Sequence, residues 1–235
     1  GWRLLRVCGL ATGAAAVVGL LAWGAGLVTH GTPMLLWAGY VAGLTAIVLI
    51  GPGQPSADAL VRRLVVTDGT FASRLRGLPT PDQVLARVGL ERDLAPLVIR
   101  VGLGLNFAYL GVTQKLLAPG PALQVVAKYD LTRVVPVAPE LWVAGAGLTE
   151  LAVGLLLVAG AFTRGTAAIG FLLLTTTLFG LPDDPVLAHI TLFGLTSALM
   201  VTGSGTYGLD RSVVPALRER LIPASRQRTE PSASD

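Results

Sequence analysis

The fold is decided by one uninterrupted stretch, LWVAGAGLTELAVGLLLVAGAFT, which occupies residues 141–163. It holds a single charged residue, Glu150, near its middle. A hydrocarbon core about 30 Å thick is crossed by about 20 apolar helical residues, and the cost of unpaired backbone groups in lipid forces such a run into a helix. The stretch therefore predicts a transmembrane helix with one acidic side chain at membrane depth.

The composition of the whole chain agrees with that prediction. Hydrophobic residues make up 52% of the 235 residues and charged residues only 14%, whereas soluble chains carry about a quarter charged residues. The single cysteine, Cys8, excludes an intramolecular disulfide, a paired-cysteine redox motif and a cysteine metal cluster within the chain. We expect an all-α polytopic membrane protein with no metal site and no intrinsic cofactor.

Five further stretches meet the same criterion, so the sequence predicts six transmembrane helices. They are residues 8–28, 33–51, 95–117, 141–163, 165–181 and 185–205. Of the 18 Lys and Arg residues, only Lys115, Lys128 and Arg133 fall on the side opposite both termini. Basic residues collect in cytoplasmic loops, so both termini are predicted to be cytoplasmic. This topology explains the basic charge without a nucleic-acid partner.

The predicted spans divide the chain into four parts. An N-terminal hairpin at residues 1–51 is followed by a cytoplasmic linker at 52–94, which is expected to form interfacial helices or to remain disordered. A four-helix bundle follows at residues 95–211 and a disordered tail at 212–235. Two small-residue spacings, Gly39 with Gly43 and Gly104 with Ala108, predict close helix contacts within the membrane.

Glu150 is the most informative residue, because an unpaired carboxylate at that depth costs at least about 2.5 kcal/mol. It is expected to be protonated or to pair with a basic side chain of the neighbouring span, and we take Arg100 as the nearer candidate. The pair either locks two helices together or belongs to a polar pocket for a quinone headgroup or a proton path. The predicted members of that pocket are Arg100, Asn106, Tyr109, Lys115, Glu150 and His189. A haem held by the two histidines, His30 and His189, is a lesser alternative.

Four ordered motifs carry a resemblance to a known family. They are RVGLG from Arg100, Gly111 followed by QKLL at residues 114–117, ELAVG from Glu150 onward to Thr163 and Arg164, and the closing GSGTYGLDR of residues 203–211. Over about residues 100–211 the chain resembles the DoxX family and its relative DoxD, the membrane subunit of thiosulfate:quinone oxidoreductase. The motif residues are Thr163, Arg164, Gly203, Gly205, Leu209, Asp210 and Arg211.

The resemblance implies a DoxX-like four-helix bundle in a prokaryotic plasma membrane, associated with other subunits of a sulfur or redox complex. The first 94 residues lie outside the usual family pattern and suggest docking into a larger assembly. We therefore expect a multi-pass subunit of an oxidoreductase or respiratory-type complex that contacts the lipid bilayer and lines a quinone pocket without catalysing alone. A purely structural accessory subunit and a small proton-coupled transporter remain open alternatives.

Overall fold

The computed structural model describes residues 12–50, 92–181, 186–211 and 215–216. Within these ranges the chain is helical and contains no strand. The predicted linker helices, Cys8 and the C-terminal tail lie outside the described residues. The α-helices are α1 (Thr12–His30), α2 (Ala38–Ile50), α3 (Ala95–Leu110), α4 (Gly120–Lys128), α5 (Pro139–Ala159), α6 (Thr163–Gly180) and α7 (Val186–Thr202).

Three of the described helical stretches are long and apolar enough to cross a membrane. A 3-10 turn at Thr32–Trp37 extends α2, and a π-helical segment at Gly111–Leu116 extends α3. With these extensions the three stretches are Thr32–Ile50, Ala95–Leu116 and Pro139–Ala159, while Ala15–His30 and His189–Thr202 are apolar but shorter. The all-α membrane architecture is confirmed. The count of six crossings and the orientation of the termini stay predictions.

Helix α3 occupies the middle of the bundle. It packs against α5 on one side, against α2 on another and against α7, and α6 in turn packs against α5 and α7. Leu103, Leu157 and Leu199 are fully buried at the centre of this arrangement. Ala46 and Leu49 of α2 belong to the same apolar core, so the second helix of the N-terminal hairpin is packed into the bundle, whereas α1 lies against α2.

Small residues set the closest helix contacts, as their spacing predicts. Gly154 of α5 lies against the Gly104–Ala108 turn of α3, where an added Cβ would come within 2.5 Å of the Gly104 carbonyl oxygen. Gly39 and Gly43 of α2 face Leu192 and Leu195 of α7. In lipid, close packing of this kind replaces the hydrophobic effect as the source of helix association.

The outward-facing side chains suit a lipid environment. Large apolar residues are exposed on several helices, and Leu21, Leu155 and Phe179 are respectively 69%, 58% and 80% exposed. Large apolar residues exposed on several helices at once are typical of a surface that contacts lipid or another protein.

The segment between the π-helical extension of α3 and the start of α5 also rests on the bundle. Its short helix α4 packs against α5 and against the π-helical segment, and Val126 of α4 is buried. The chain beyond α4 leaves Val134 80% exposed. Helix α4 therefore lies beside the part of α3 that carries Lys115.

Candidate functional site

The first candidate site is an ion pair between α5 and the π-helical extension of α3. Lys115 Nζ lies 2.6 Å from both carboxylate oxygens of Glu150. The two side chains are only 19% and 14% exposed. A charge-assisted contact at this distance compensates two charges that would each be costly to place in hydrocarbon alone.

The sequence of α5 explains why Glu150 points at α3. Its buried positions are Val143, Gly147, Val153, Gly154 and Leu157. Residues 143, 147, 150, 154 and 157 follow each other at intervals of three or four, which places them on one face of a helix. Glu150 therefore lies on the same seam as the glycines that α3 packs against.

A π-helical turn brings Lys115 to that seam. The wide turn of Gly111–Leu116 continues into a bond from the Leu117 N–H to the Val112 carbonyl oxygen at 2.8 Å. A Cβ added at Gly111 would lie 2.6 Å from the Gly147 carbonyl oxygen of α5. A Cβ added at Gly147 would lie 3.0 Å from the Cβ of Lys115. Since π turns are rare and recur at functional sites, this geometry marks the ion pair as a candidate site.

The second candidate site, which we name the Arg100 end, is formed by Arg100, Gly160, Tyr207 and Asp210. Arg100 is 2% exposed. Its guanidinium donates to the carbonyl oxygens of Val158 at 2.8 Å and Tyr207 at 2.7 Å, with a longer bond to Leu157. The last carbonyls of an α-helix have no partner within the helix, so Arg100 caps the end of α5 and ties residue 207 to it.

Asp210 completes the joint between α5 and α6. Its carboxylate accepts hydrogen bonds from the backbone N–H groups of Phe162 and Thr163, at 2.5 and 2.9 Å, where α6 begins. Its own N–H donates to the Gly160 carbonyl oxygen at 2.9 Å. A carboxylate at a helix N-terminus satisfies free donors and complements the helix dipole.

Gly160, between α5 and α6, must lack a side chain. It ends α5 with φ of 67°, in the left-handed region, where residues with a Cβ are strained. An added Cβ would also collide with the Arg100 guanidinium and lie 2.8 Å from the Cα of Gly208. Backbone conformation and side-chain space therefore both require glycine.

The comparison with known families identifies the central part of this bundle. The DoxX family model matches residues 95–183, which comprise α3, α4, α5 and α6. Residues 95–183 form a DoxX domain. No curated protein and no solved structure matches the chain. Helices α1, α2 and α7 and the closing motif at residues 203–211 lie outside the matched segment.

Within the DoxX domain, the predicted pairing of Glu150 with Arg100 is wrong. Arg100 lies opposite Val158, about two helical turns beyond Glu150, and its two terminal guanidinium nitrogens donate to backbone carbonyls. Lys115 lies opposite Gly147, one turn before Glu150, and its long side chain closes the remaining distance. The partner of Glu150 is therefore Lys115.

The other predicted pocket residues of the DoxX domain do not join the ion pair. The Asn106 amide donates to the Leu36 carbonyl oxygen at 2.7 Å, which fastens α3 to the N-terminal hairpin. Tyr109 is half-buried on α3, two turns before Lys115. His189 is half-buried on α7, beyond the matched segment. A quinone pocket made of all six residues stays a prediction.

The motif residues collect at the Arg100 end. Asp210 holds the start of α6, where Thr163 is fully buried, and Arg164 donates to the Val201 carbonyl oxygen near the end of α7. Gly203 and Gly205 have φ values of 73° and 70°, which allow the chain to turn back onto α3. The backbone N–H of Leu209 donates to the Ala159 carbonyl oxygen. Arg211, the last residue of the closing motif, is exposed.

Sequence reasoning missed two structural features of these sites. The π turn has no signal in the residue pattern, because Gly111–Leu116 reads as continuous α-helix. The role of Gly160 could have been found, since a glycine that follows an apolar helical run commonly ends the helix in the left-handed conformation. Among the described residues, no group of three or more His, Cys, Asp or Glu side chains could hold a metal ion.

Proposed function

We propose that this protein is a membrane subunit of a quinone-linked oxidoreductase complex and that Lys115 and Glu150 face the quinone headgroup. The single observation that carries the proposal is the 2.6 Å ion pair on the α3–α5 seam. Ionisable residues at membrane depth are costly and commonly mark ligand or proton pathways. The DoxX domain supports the membrane part of the proposal.

The two side chains suit the chemistry of a quinone. A lysine ammonium donates hydrogen bonds, and a carboxylate can accept a proton and return it. Reduction of a quinone to a hydroquinone needs two electrons and two protons. In the proposed complex a partner subunit with a redox cofactor supplies the electrons, while Lys115 holds a quinone oxygen and Glu150 passes both protons in turn, taking each from water. The described part of this chain supplies the site and the anchor.

The proposed setting follows from the same reasoning. A prokaryotic plasma membrane provides the lipid-soluble quinone, and a multi-pass subunit with both termini in the cytoplasm presents the linker at residues 52–94 to cytoplasmic partners. Exposed apolar residues on α1, α5 and α6 supply surface for lipid and for other subunits.

The test begins with the protein purified under mild detergent from the membranes of its own host. Mass spectrometry should identify a redox subunit and a quinone that co-purify with it. Quinone reduction by that assembly is then compared between the natural chain and the Glu150→Gln and Lys115→Met variants. Loss of general acid–base catalysis predicts a fall in rate of about a hundredfold.

The matched control is Glu140→Gln, which makes the same chemical change at an exposed position in the first turn of α5. This variant should reduce quinone at the natural rate. If both ion-pair variants assembled at normal levels and kept full quinone reduction, the quinone site would not be at Lys115 and Glu150. If no redox partner co-purified, the complex itself would be disproved.

A structural accessory role is the second candidate, and the Arg100 end favours it. There the buried donors of Arg100 are used to join helix ends, which stabilises a bundle without chemistry. In that case deletion of the chain would lower the amount of assembled complex, and the specific activity of the remaining complex would be unchanged.

A further inference from the structure

A cleft opens at the Arg100 end that the proposed quinone site does not use. Its volume is about 770 Å³, and its wall is built from the start of α3, the start of α6, the end of α7 and the loop after it. Its charged lining residues are Asp93, Arg164, Asp210 and Arg211. The cleft lies at the end of the bundle opposite the Lys115 end of α3, so its occupant is separate from a quinone at the ion pair.

Two cationic side chains are available to a ligand in this cleft. Arg164 and Arg211 are both exposed. Arg164 uses one guanidinium nitrogen to hold the Val201 carbonyl oxygen at 3.2 Å, and a guanidinium has five N–H donors. Planar guanidinium groups recognise phosphate oxygens through paired hydrogen bonds.

A buried hydroxyl on the same wall lacks a partner. Thr163 is fully buried, and its Oγ1 makes no hydrogen bond with any described residue. The backbone N–H of Thr163 already donates to Asp210, so the hydroxyl remains as a hydrogen-bond donor without a partner at the start of α6. A buried polar atom without a partner is uncommon and suggests a missing ligand or water.

The two carboxylates of the lining differ in their effect on an anion. The Asp210 carboxylate already accepts hydrogen bonds from the Phe162 and Thr163 N–H groups, and the positive charge of the buried Arg100 acts on it as well. Asp93 is exposed at the start of α3, so its charge opposes an anion in the cleft. Arg164, Arg211 and Thr163 share the lining with both carboxylates, of which only Asp210 is engaged by backbone N–H groups.

We propose that this cleft binds a phosphate group, with Arg164 and Arg211 as cationic ligands and Thr163 as a hydroxyl donor. The phosphate comes either from an anionic phospholipid headgroup or from a soluble phosphate. Both sources offer the same oxygens to the same donors. A headgroup is the natural first probe, because the cleft lies where the spanning helices of the DoxX domain end and where headgroups meet the protein.

The lipid test places the full chain in nanodiscs of phosphatidylcholine with and without phosphatidylglycerol, and native mass spectrometry counts the lipid that stays bound. The natural chain should retain phosphatidylglycerol over phosphatidylcholine. The Arg164→Gln/Arg211→Gln variant should lose this preference by about thirtyfold, because each arginine near an anionic surface contributes a factor of about five. Arg211→Gln alone should lose part of it, which keeps the test valid if the loss of Arg164 unfolds α7.

The soluble test titrates inorganic phosphate against the same chain in phosphatidylcholine nanodiscs and follows the thermal midpoint. A rise in the midpoint that Arg211→Gln abolishes would assign the site to soluble phosphate. Thr163→Val should weaken binding in whichever assay is positive without destabilising the ligand-free chain, because its hydroxyl has no protein partner to lose. Asp93→Asn should strengthen binding.

The control is Arg133→Gln, which removes an exposed arginine on the chain between α4 and α5. It should bind lipid and phosphate like the natural chain. If the double arginine variant behaved like Arg133→Gln in both assays, or if neither probe bound in preference to its reference, the phosphate site would be disproved.

Discussion

Helix α3 and its extension carry two cations, the buried Arg100 and the partly buried Lys115, and the protein compensates them in different ways. Arg100 is surrounded by the backbone carbonyls of Leu157, Val158 and Tyr207, whereas Lys115 faces the carboxylate of Glu150. Carbonyl groups cannot change their protonation, so Arg100 serves architecture. A carboxylate can, so the proposed function assigns any change of charge during a reaction to the Lys115 site.

Replacing Arg100 should have the largest effect of any single change. Arg100→Leu removes charge-assisted hydrogen bonds that cap α5 and hold residue 207, and it leaves buried carbonyls without donors. We expect the free energy of unfolding in mixed micelles to fall by about 4 kcal/mol, or the chain not to assemble. Arg133→Leu, at an exposed position, should change it little. A stable Arg100→Leu protein would refute the capping role.

Loss of one partner of the Lys115–Glu150 ion pair should lower the free energy of unfolding slightly less than loss of Arg100. Lys115→Met and Glu150→Gln each leave one buried group without its counter-charge, which costs about 2 to 3 kcal/mol where the remaining group can be neutralised or solvated. The same unfolding assay measures this loss. Glu140→Gln on the exposed first turn of α5 is the control, and equal stability of all three variants would mean that the ion pair contributes nothing.

The glycine at the joint offers a test of backbone geometry. Gly160→Ala should destabilise the Arg100 end by about 1 to 3 kcal/mol, because it forces a Cβ into a left-handed conformation and against the guanidinium. Gly165→Ala is the matched change nearby, where an added Cβ meets nothing within 4 Å. It should be neutral or stabilising. The idea fails if both variants unfold alike.

The smallest effect is expected at the helix cap. Asp210→Ala removes the acceptor for the first N–H groups of α6, at a cost of about 1 kcal/mol. Hydrogen exchange should rise at Phe162 and Thr163 and stay unchanged along α5 before its last turn. Asp130→Ala, an exposed acidic position whose contact with Arg133 spans 3.6 Å, should leave exchange at α6 as it is.

The sequence was sufficient to predict three membrane-length helices among the described residues but not every partner of their polar residues. The span expected at residues 95–117 is the helical stretch Ala95–Leu116, and that expected at 141–163 corresponds to Pro139–Ala159. Hydropathy carries this information because a bilayer fixes how many apolar residues a helix needs. The contact of Gly154 with Gly104 and Ala108 also follows from residue size.

The partner of Glu150 depends on features that sequence spacing does not contain. Rise per residue compares heights along a helix, but the π turn at Gly111–Leu116 changes where the Lys115 side chain points. Arg100 is the expected partner because rise per residue places it nearer to Glu150, yet the end of α5 offers it the carbonyl oxygens of Leu157 and Val158 at its own level. Arg100 therefore binds nearby backbone carbonyl groups and not the more distant carboxylate of Glu150. Because every residue carries a carbonyl group, the residue pattern does not indicate this partner.

The most direct measurement is a pair of double-mutant cycles on unfolding free energy, one for Glu150 with Lys115 and one for Glu150 with Arg100. The variants are Glu150→Gln, Lys115→Met and Arg100→Met, alone and combined. We predict a coupling energy of about 2 kcal/mol for the Lys115 cycle and less than about 0.5 kcal/mol for the Arg100 cycle. Coupling of Glu150 to Arg100 and not to Lys115 would contradict the assignment of the ion pair.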